Sequence, residues 1–336
     1  MTLKLSVRAG WPRQVFVWLV LLITLAICGA LVAGRGAETG LRARNAGTIV
    51  EGELVDVGGR ALHVRCIGKG APLVLLETGG AVPAVLNYPL QDRIARYTRT
   101  CAYDRAGLGL SDAATPGRDF EARAADAWTA LERMEEAGPY LLVGSSFGGM
   151  LARKEAVLGS HRVVGLVLVD AAEEQFVFSH LDDLRRQLWQ LRLLEYLAQA
   201  HLLGSLLKLT PVLDHLRPDY RQAAISQLSR PGHWRAALDE IAAYDATPPK
   251  DRRVGGLGSL GSTPLVVITR AEGDPRTAGA SEWSQAQRRL LRLSSNARLS
   301  VAPNKGHNIA SDDPDFVAAE VQRLVALART RAAGSW

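Results

Sequence analysis

The sequence predicts an α/β fold: a mostly parallel sheet covered by helices on both faces, with an all-helical segment inserted late in the chain. Three observations point there. From about residue 72 onward, short apolar runs alternate with helical segments, as strands buried on two faces do. Ahead of them lie short β-rich runs separated only by glycine turns, the pattern of an antiparallel edge. Between residues 180 and 246 the alternation stops, and amphipathic helical stretches follow one another without a strand.

The chain has 336 residues and no internal repeat, which suits one large core with additions. An apolar content of 47% with 22% charged residues argues against disorder and against a coiled coil. The net charge of +6 comes from arginines scattered through amphipathic segments, with no stripe interleaved with aromatics. A nucleic-acid partner is therefore not expected, and mild attraction to an anionic membrane surface is.

Lys4, Arg8 and Arg13 precede the uncharged run Val15–Ala33, VFVWLVLLITLAICGALVA, which ends at Arg35. As a helix it spans roughly 28 Å, close to a bilayer's hydrocarbon thickness. Residues 1–36 are expected to form a single-pass membrane anchor, with the positive charge placing the N-terminus in the cytoplasm and the rest of the chain outside it. A cleaved signal peptide, leaving a secreted protein, stays open, with Cys28 and Ala30 as a weak cleavage site. A lipoprotein signal ending at Cys28 also stays open, although Ile27 stands where a small residue is preferred. Cys66 and Cys101 are then the only cysteines in the exported part, where an oxidising compartment permits them to bond.

Residues 37–48 are polar and small, a linker. Strands are expected at 52–57 (GELVDV), 61–66 (ALHVRC), 72–77 (PLVLLE), 98–104 (TRTCAYD), 140–145 (YLLVGS), 163–170 (VVGLVLVD), 264–270 (PLVVITR) and 297–303 (ARLSVAP). Helices are expected at 88–96, 120–137, 147–158 and from 315 to about 332. The core then comprises 49–172 and 251–336. The insert 173–250 is placed to cap a site at the strand ends, and 253–264 is its flexible return.

Gly144-Ser145-Ser146-Phe147-Gly148 follows the strand YLLV and precedes the helix-forming MLARKEAVL. This is G-x-S-x-G in the strand-to-helix context that a nucleophile elbow requires. The turn strains the residue at its corner, and neighbouring glycines remove Cβ atoms that would clash. Ser146 is the candidate nucleophile, its hydroxyl near the positive end of the following helix; Ser145 reads as structural.

A serine needs a base. Of the seven histidines, His307 in NKGHNIASDDP alone follows the last strand on a loop beside a glycine, late enough in the chain to complete a Ser, acid, His order. His63, His161, His180, His201, His215 and His233 read as strand, helix-end or insert-surface residues. For the acid, the sequence favours Asp274, four residues past the strand end at Arg270, over Asp170 at the end of the preceding strand, with Glu272 third. Donors for a developing oxyanion are the amides of Gly80, in the turn of LLETGGAVP, and of Phe147.

The elbow GSSFGG, the segment DRAGLGLSD (104–112), the Gly-Gly turn after the third strand and the ending GHNIASDDP together resemble the α/β-hydrolase superfamily, in its capped, serine-nucleophile branch, over about residues 50–330. That resemblance implies an eight-stranded sheet ordered 1-2-4-3-5-6-7-8, which makes strands two and four neighbours and a Cys66–Cys101 disulfide plausible. Thr78-Gly79 departs from the His-Gly of many relatives, and a serine elbow argues against the branches that use aspartate there, such as haloalkane dehalogenases and epoxide hydrolases.

The expected activity is hydrolysis of an ester-like acyl bond through Ser146, His307 and the acid, with water releasing the acyl-enzyme. Acyl transfer to another acceptor, small-peptidase action and a catalytically idle membrane-tethered binding module are the alternatives. Trp189 and the Leu202–Leu209 run of the insert suggest a fairly apolar acyl or aromatic small-molecule substrate. Gly256-Leu-Gly258-Ser-Leu-Gly261 fits a dinucleotide fingerprint but precedes a strand, and no His, Cys or carboxylate cluster has metal-ligand spacing, so neither cofactor nor metal is expected.

Overall fold

The structure, a computed structural model, describes residues 51–333 except 114, 254, 272–279 and 304–305. The apolar run 15–33 therefore lies outside the described residues. Among the described residues, no helix is long and apolar enough to cross a membrane.

Eight strands form one sheet: β1 Glu53–Asp56, β2 Ala61–Ile67, β3 Leu73–Glu77, β4 Thr100–Tyr103, β5 Tyr140–Ser145, β6 Val163–Val169, β7 Leu265–Arg270 and β8 Ala297–Ala302. Their order is β1-β2-β4-β3-β5-β6-β7-β8, with β2 antiparallel to both its neighbours and every pair from β4 to β8 parallel. Each run read from the sequence is a strand, its ends shifted by at most two residues.

The central strands are apolar in both phases because both faces are covered. Val74, Leu76, Leu141, Val143, Val167, Val169, Val266 and Ile268 face one core cluster, and Leu73, Leu75, Tyr140, Leu142, Leu166, Leu168, Leu265 and Val267 the other. Cys66 stands opposite Cys101 in the β2–β4 ladder, Cα to Cα 4.1 Å, and the two are joined by a disulfide.

The helices of the sheet layers are α1 Tyr88–Ile94, α2 Phe120–Arg133 and α3 Phe147–Leu158. The sequence predicts α2 as far as Ala137; the helix stops earlier because Glu135 turns to a φ of 54°, which a helix does not accept. Between β6 and β7 every regular element is helical: α4 Glu174–Ser179, α5 Leu181–Gln199, α6 Leu203–Leu209, α7 Pro218–Leu228 and α8 Pro231–Ala246, with short 3₁₀ turns between. After β7 come α9 Ala280–Leu290, α10 Ile309–Asp312 and α11 Pro314–Ala333. Helix α9 was not read from the sequence; its apolar contribution is thin, with Trp283, Ala286 and Leu290 buried on one face of an otherwise polar segment.

Candidate active site

Ser146 is the single residue between β5 and α3, held at φ 49° and ψ −120°. The conformation is unfavourable for a side-chain-bearing residue, and three backbone bonds hold it in place. The Ser146 N–H donates to the Val169 carbonyl (3.2 Å), while its carbonyl accepts from Ala172 (2.9 Å) and Gly149 (3.0 Å). A Cβ on Gly148 would lie 2.3 Å from the Thr78 carbonyl oxygen, and one on Gly144 would lie 2.5 Å from that of Gly148. The glycines let α3 close onto the ends of β3 and β5, which leaves Ser146 at the corner.

His307, on the loop after β8, places Nε2 3.0 Å from Ser146 Oγ and Nδ1 2.6 Å from Asp170 Oδ2. With the Nδ1 proton donated to the carboxylate, the Nε2 lone pair is left to accept from the serine hydroxyl. Asp170 follows β6 at φ 43° and is fully buried. Its Oδ1 accepts from the Trp283 indole (2.8 Å) and the Arg270 amide (3.3 Å), and its Oδ2 also takes Arg270 Nη1 at 3.2 Å. The carboxylate facing His307 is thus that of Asp170, which the sequence reading ranked second; Asp274 and Glu272 lie outside the described residues. Trp283 went unread because its helix did, and its ring also meets that of His307 edge-on, centroids 5.6 Å apart.

Gly80 sits in the turn after β3, where the position of a Cβ would fall 3.4 Å from Phe147 Cβ. Among the described residues no acceptor takes the Gly80 N–H. The Phe147 N–H, first in α3, has no carbonyl one turn earlier in its helix to pair with. Among the described residues, three of the five non-glycine residues with positive φ, Ala81, Ser146 and Asp170, belong to this one site.

The DRAGLGLSD segment supports the turn from behind. Asp104 accepts from the Ala84 amide (2.7 Å), the Leu110 amide (3.0 Å) and the His63 ring (3.1 Å). Burial alone would raise its carboxyl, but the His63 ring and these amides outweigh burial and hold it below the usual carboxylate range. Arg105, also buried, donates to the carbonyls of Thr78 (2.9 Å) and Gly79 (2.8 Å) and to Glu240 of α8.

A cavity of about 300 Å³ opens onto Ser146 and His307. Leu184 and Leu191 of α5 and Ala237, Ile241 and Tyr244 of α8 form its apolar wall, with Gln190, Glu240 and Asn308 adding polar atoms. The expectation that Trp189 and the Leu202–Leu209 run face the substrate is corrected: Trp189 is 61% exposed, Leu209 is 83% exposed, and none of them lines the cavity. Helix α5 turns residues 184 and 191 inward, and the helical period carries residue 189 to the outer face. His233 is likewise not a surface residue; it is buried against the turn after β3.

Among the described residues, one group of potential metal ligands has its atoms within 4.8 Å of one another: Cys66, Cys101 and Glu136. The two sulfurs are bonded to each other, which removes them as ligands.

A model of the alpha/beta hydrolase family matches residues 73–320. An uncharacterized protein of Bacillus subtilis (strain 168), YqjL, is 22% identical over 250 residues, covering 74% of this chain and 82% of its own. Among solved structures, an esterase from Exiguobacterium antarcticum superposes with a TM-score of 0.59 at 19% identity, covering 82% of this chain and 100% of its own. An enol-lactonase from Burkholderia xenovorans LB400 superposes with a TM-score of 0.57 at 16% identity, with coverage of 82% and 100%.

Proposed function

The chain belongs to the alpha/beta hydrolase family, and from that membership we propose that it is a serine hydrolase of the carboxylesterase or lipase-like kind, cleaving an ester-like acyl bond through Ser146, His307 and Asp170. One observation carries the reading: a single imidazole lies 3.0 Å from the elbow serine and 2.6 Å from a buried carboxylate. Asp170 is preferred to Asp274 because its oxygen is the one on His307 Nδ1.

Ser146 Oγ attacks the acyl carbon as His307 Nε2 takes its proton, and Asp170 steadies the imidazolium that forms. The carbonyl oxygen, now negative, is received by the amides of Gly80 and Phe147. Collapse expels the alcohol with the proton from His307. Water, deprotonated in turn by His307, then attacks the acyl-enzyme, releases the carboxylic acid and restores Ser146.

The helices of 173–250 act as a cap, and the apolar wall they lend to the cavity suits a small acyl or aromatic ester. The run 15–33 would hold this domain at a membrane, on the extracytoplasmic side.

The reading is tested by treating the full-length chain with a fluorophosphonate probe beside Ser146→Ala and His307→Ala. Labelling of the wild type that is lost in both variants, with turnover of short acyl esters, is expected. A folded wild type that takes no label overturns it.

A further inference from the structure

Helix α8 grips one residue of the turn after β3 by both of its backbone polar groups. The Ala81 N–H donates to Glu240 Oε2 at 2.8 Å, and the Ala81 carbonyl accepts from His233 Nε2 at 3.1 Å. The direction of the second bond follows from the other ring nitrogen, since His233 Nδ1 accepts from the Gly109 N–H at 3.2 Å and so carries no proton. Residues 233 and 240 are seven apart, two helical turns, which places both on the same face of α8. Ala81 has a φ of 59°, a conformation that an alanine holds only where its surroundings impose it.

The same carboxylate is tied to the rest of the turn. Arg105 donates Nε to Glu240 Oε1 (2.5 Å) and Nη2 to Oε2 (3.1 Å); Nη2 also holds the Gly79 carbonyl, and Nη1 holds the Thr78 carbonyl and hydroxyl and reaches Glu77 Oε2 at 3.4 Å. Both side chains are buried, at 3% and 1% exposure, so neither bond is exchanged cheaply for water. The helix is seated closely enough that a Cβ on Gly107 would stand 2.6 Å from Ala236 Cβ. Each backbone group named here is held by a buried side chain, and Gly80, between the held residues, keeps its N–H unclaimed among the described residues.

We propose that Glu240 and His233 are positioning residues through which the cap fixes the turn Thr78–Ala81, so that the Gly80 N–H faces the reacting carbonyl only while α8 is seated. The proposal deepens the serine-hydrolase reading and rests on Gly80 as an oxyanion donor. Neither side chain touches the reacting atoms; each acts through Ala81. Glu240 stays compatible with a negative transition state nearby because it is paired with Arg105, whose other carboxyl neighbour, Glu77 at 3.4 Å, is pushed above the usual carboxylate range by burial.

The full-length chain is compared with Glu240→Gln, His233→Leu, His233→Gln and, as a control on the outer face of α8, Arg235→Gln. A glutamine at 240 cannot accept from Ala81 and Arg105 as a carboxylate does. The expected result is a fall in kcat of about 100-fold, the scale of an angstrom's misplacement, with KM within about threefold. The affinity of a trifluoromethyl ketone, which forms a charged adduct on the serine, falls in parallel, whereas that of the product acid does not. His233→Leu moves the same way, His233→Gln restores most of the loss by donating to the Ala81 carbonyl, and Arg235→Gln is unchanged. Hydrogen exchange supplies the readout independent of activity: the Ala81 amide exchanges faster in Glu240→Gln.

Glu240→Gln that folds with kcat within about threefold of wild type, or with Ala81 protection unchanged, overturns the proposal. If Glu240→Gln does not fold, the His233 pair decides by the same criteria. A wild type that takes no fluorophosphonate defeats the hydrolase reading itself, and hydrogen exchange at Ala81 then decides alone whether the cap holds the turn.

Discussion

Trp283 donates its indole N–H to Asp170 at 2.8 Å, on the carboxylate oxygen that does not face His307. The carboxylate is therefore oriented from one side by a rigid ring and presented to the imidazole on the other, inside a site with no exposure at Asp170.

Asp170→Asn should lower kcat by about 10³ to 10⁴-fold while leaving the fold intact, because an amide on Nδ1 favours the wrong imidazole tautomer. Asp274→Asn should stay within about threefold of wild type. Ester turnover of the two variants side by side checks the choice; the reverse order would return the role to Asp274.

Trp283→Phe removes a hydrogen bond to a charged acceptor and keeps the ring. A loss of about 1.5 kcal/mol in carboxylate orientation corresponds to roughly a tenfold lower kcat. Steady-state kinetics at fixed pH measure it, and an unchanged kcat would show that Arg270 orients Asp170 without the indole.

Gly148→Ala introduces a Cβ 2.3 Å from the Thr78 carbonyl and 2.6 Å from that of Glu77, both backbone atoms that cannot rotate away. Overpacking of this kind costs about 1–3 kcal/mol and pushes α3 from the sheet. Guanidinium unfolding should show the loss, and fluorophosphonate labelling should slow because the Phe147 amide moves with the helix.

Cys66 and Cys101 are bonded across a sequence separation of 35 residues. Closing a loop of that size restrains the unfolded chain by at most about 4 kcal/mol. Reductant should lower the urea midpoint of the wild type and leave that of Cys66→Ala/Cys101→Ala unmoved.

His233 carries a pH signature. Burial pushes its imidazole below the usual value near 6.5; the Ala81 carbonyl, Asp104 and Glu240 oppose that shift and Arg230 adds to it. The folded state therefore keeps a neutral ring at a pH where the unfolded chain has bound a proton. Stability is fully present above about pH 6.5, falls as the pH drops below it, and levels once the folded ring is itself protonated. Thermal melts between pH 7.5 and 5 should show a slope that His233→Gln flattens; an equal slope in both proteins would assign the effect to other groups.

The strands and the corner serine were legible because the information is local. Runs such as LVLLE and VVGLVLV are apolar in both phases, and a glycine-flanked serine after one of them states a strained turn within a few residues. His307 was legible by its place after the last strand. Which carboxylate meets its Nδ1 was not, because Asp170 and Asp274 both follow strand ends in an acceptable order, and only the approach of the loop after β8 to the end of β6 puts Asp170 Oδ2 on the ring. The insert hid more. Composition marks it as helical and Leu-rich, but the rotation of each helix about its axis decides that Leu184 and Leu191 enter the cavity while Trp189 faces solvent. Glu240 and His233 look from the sequence like ordinary residues of an amphipathic helix. Packing against the turn after β3 buries them, and a buried polar group must find partners; here those partners are the two backbone groups of Ala81, with Arg105 on Glu240 and the Gly109 N–H on His233.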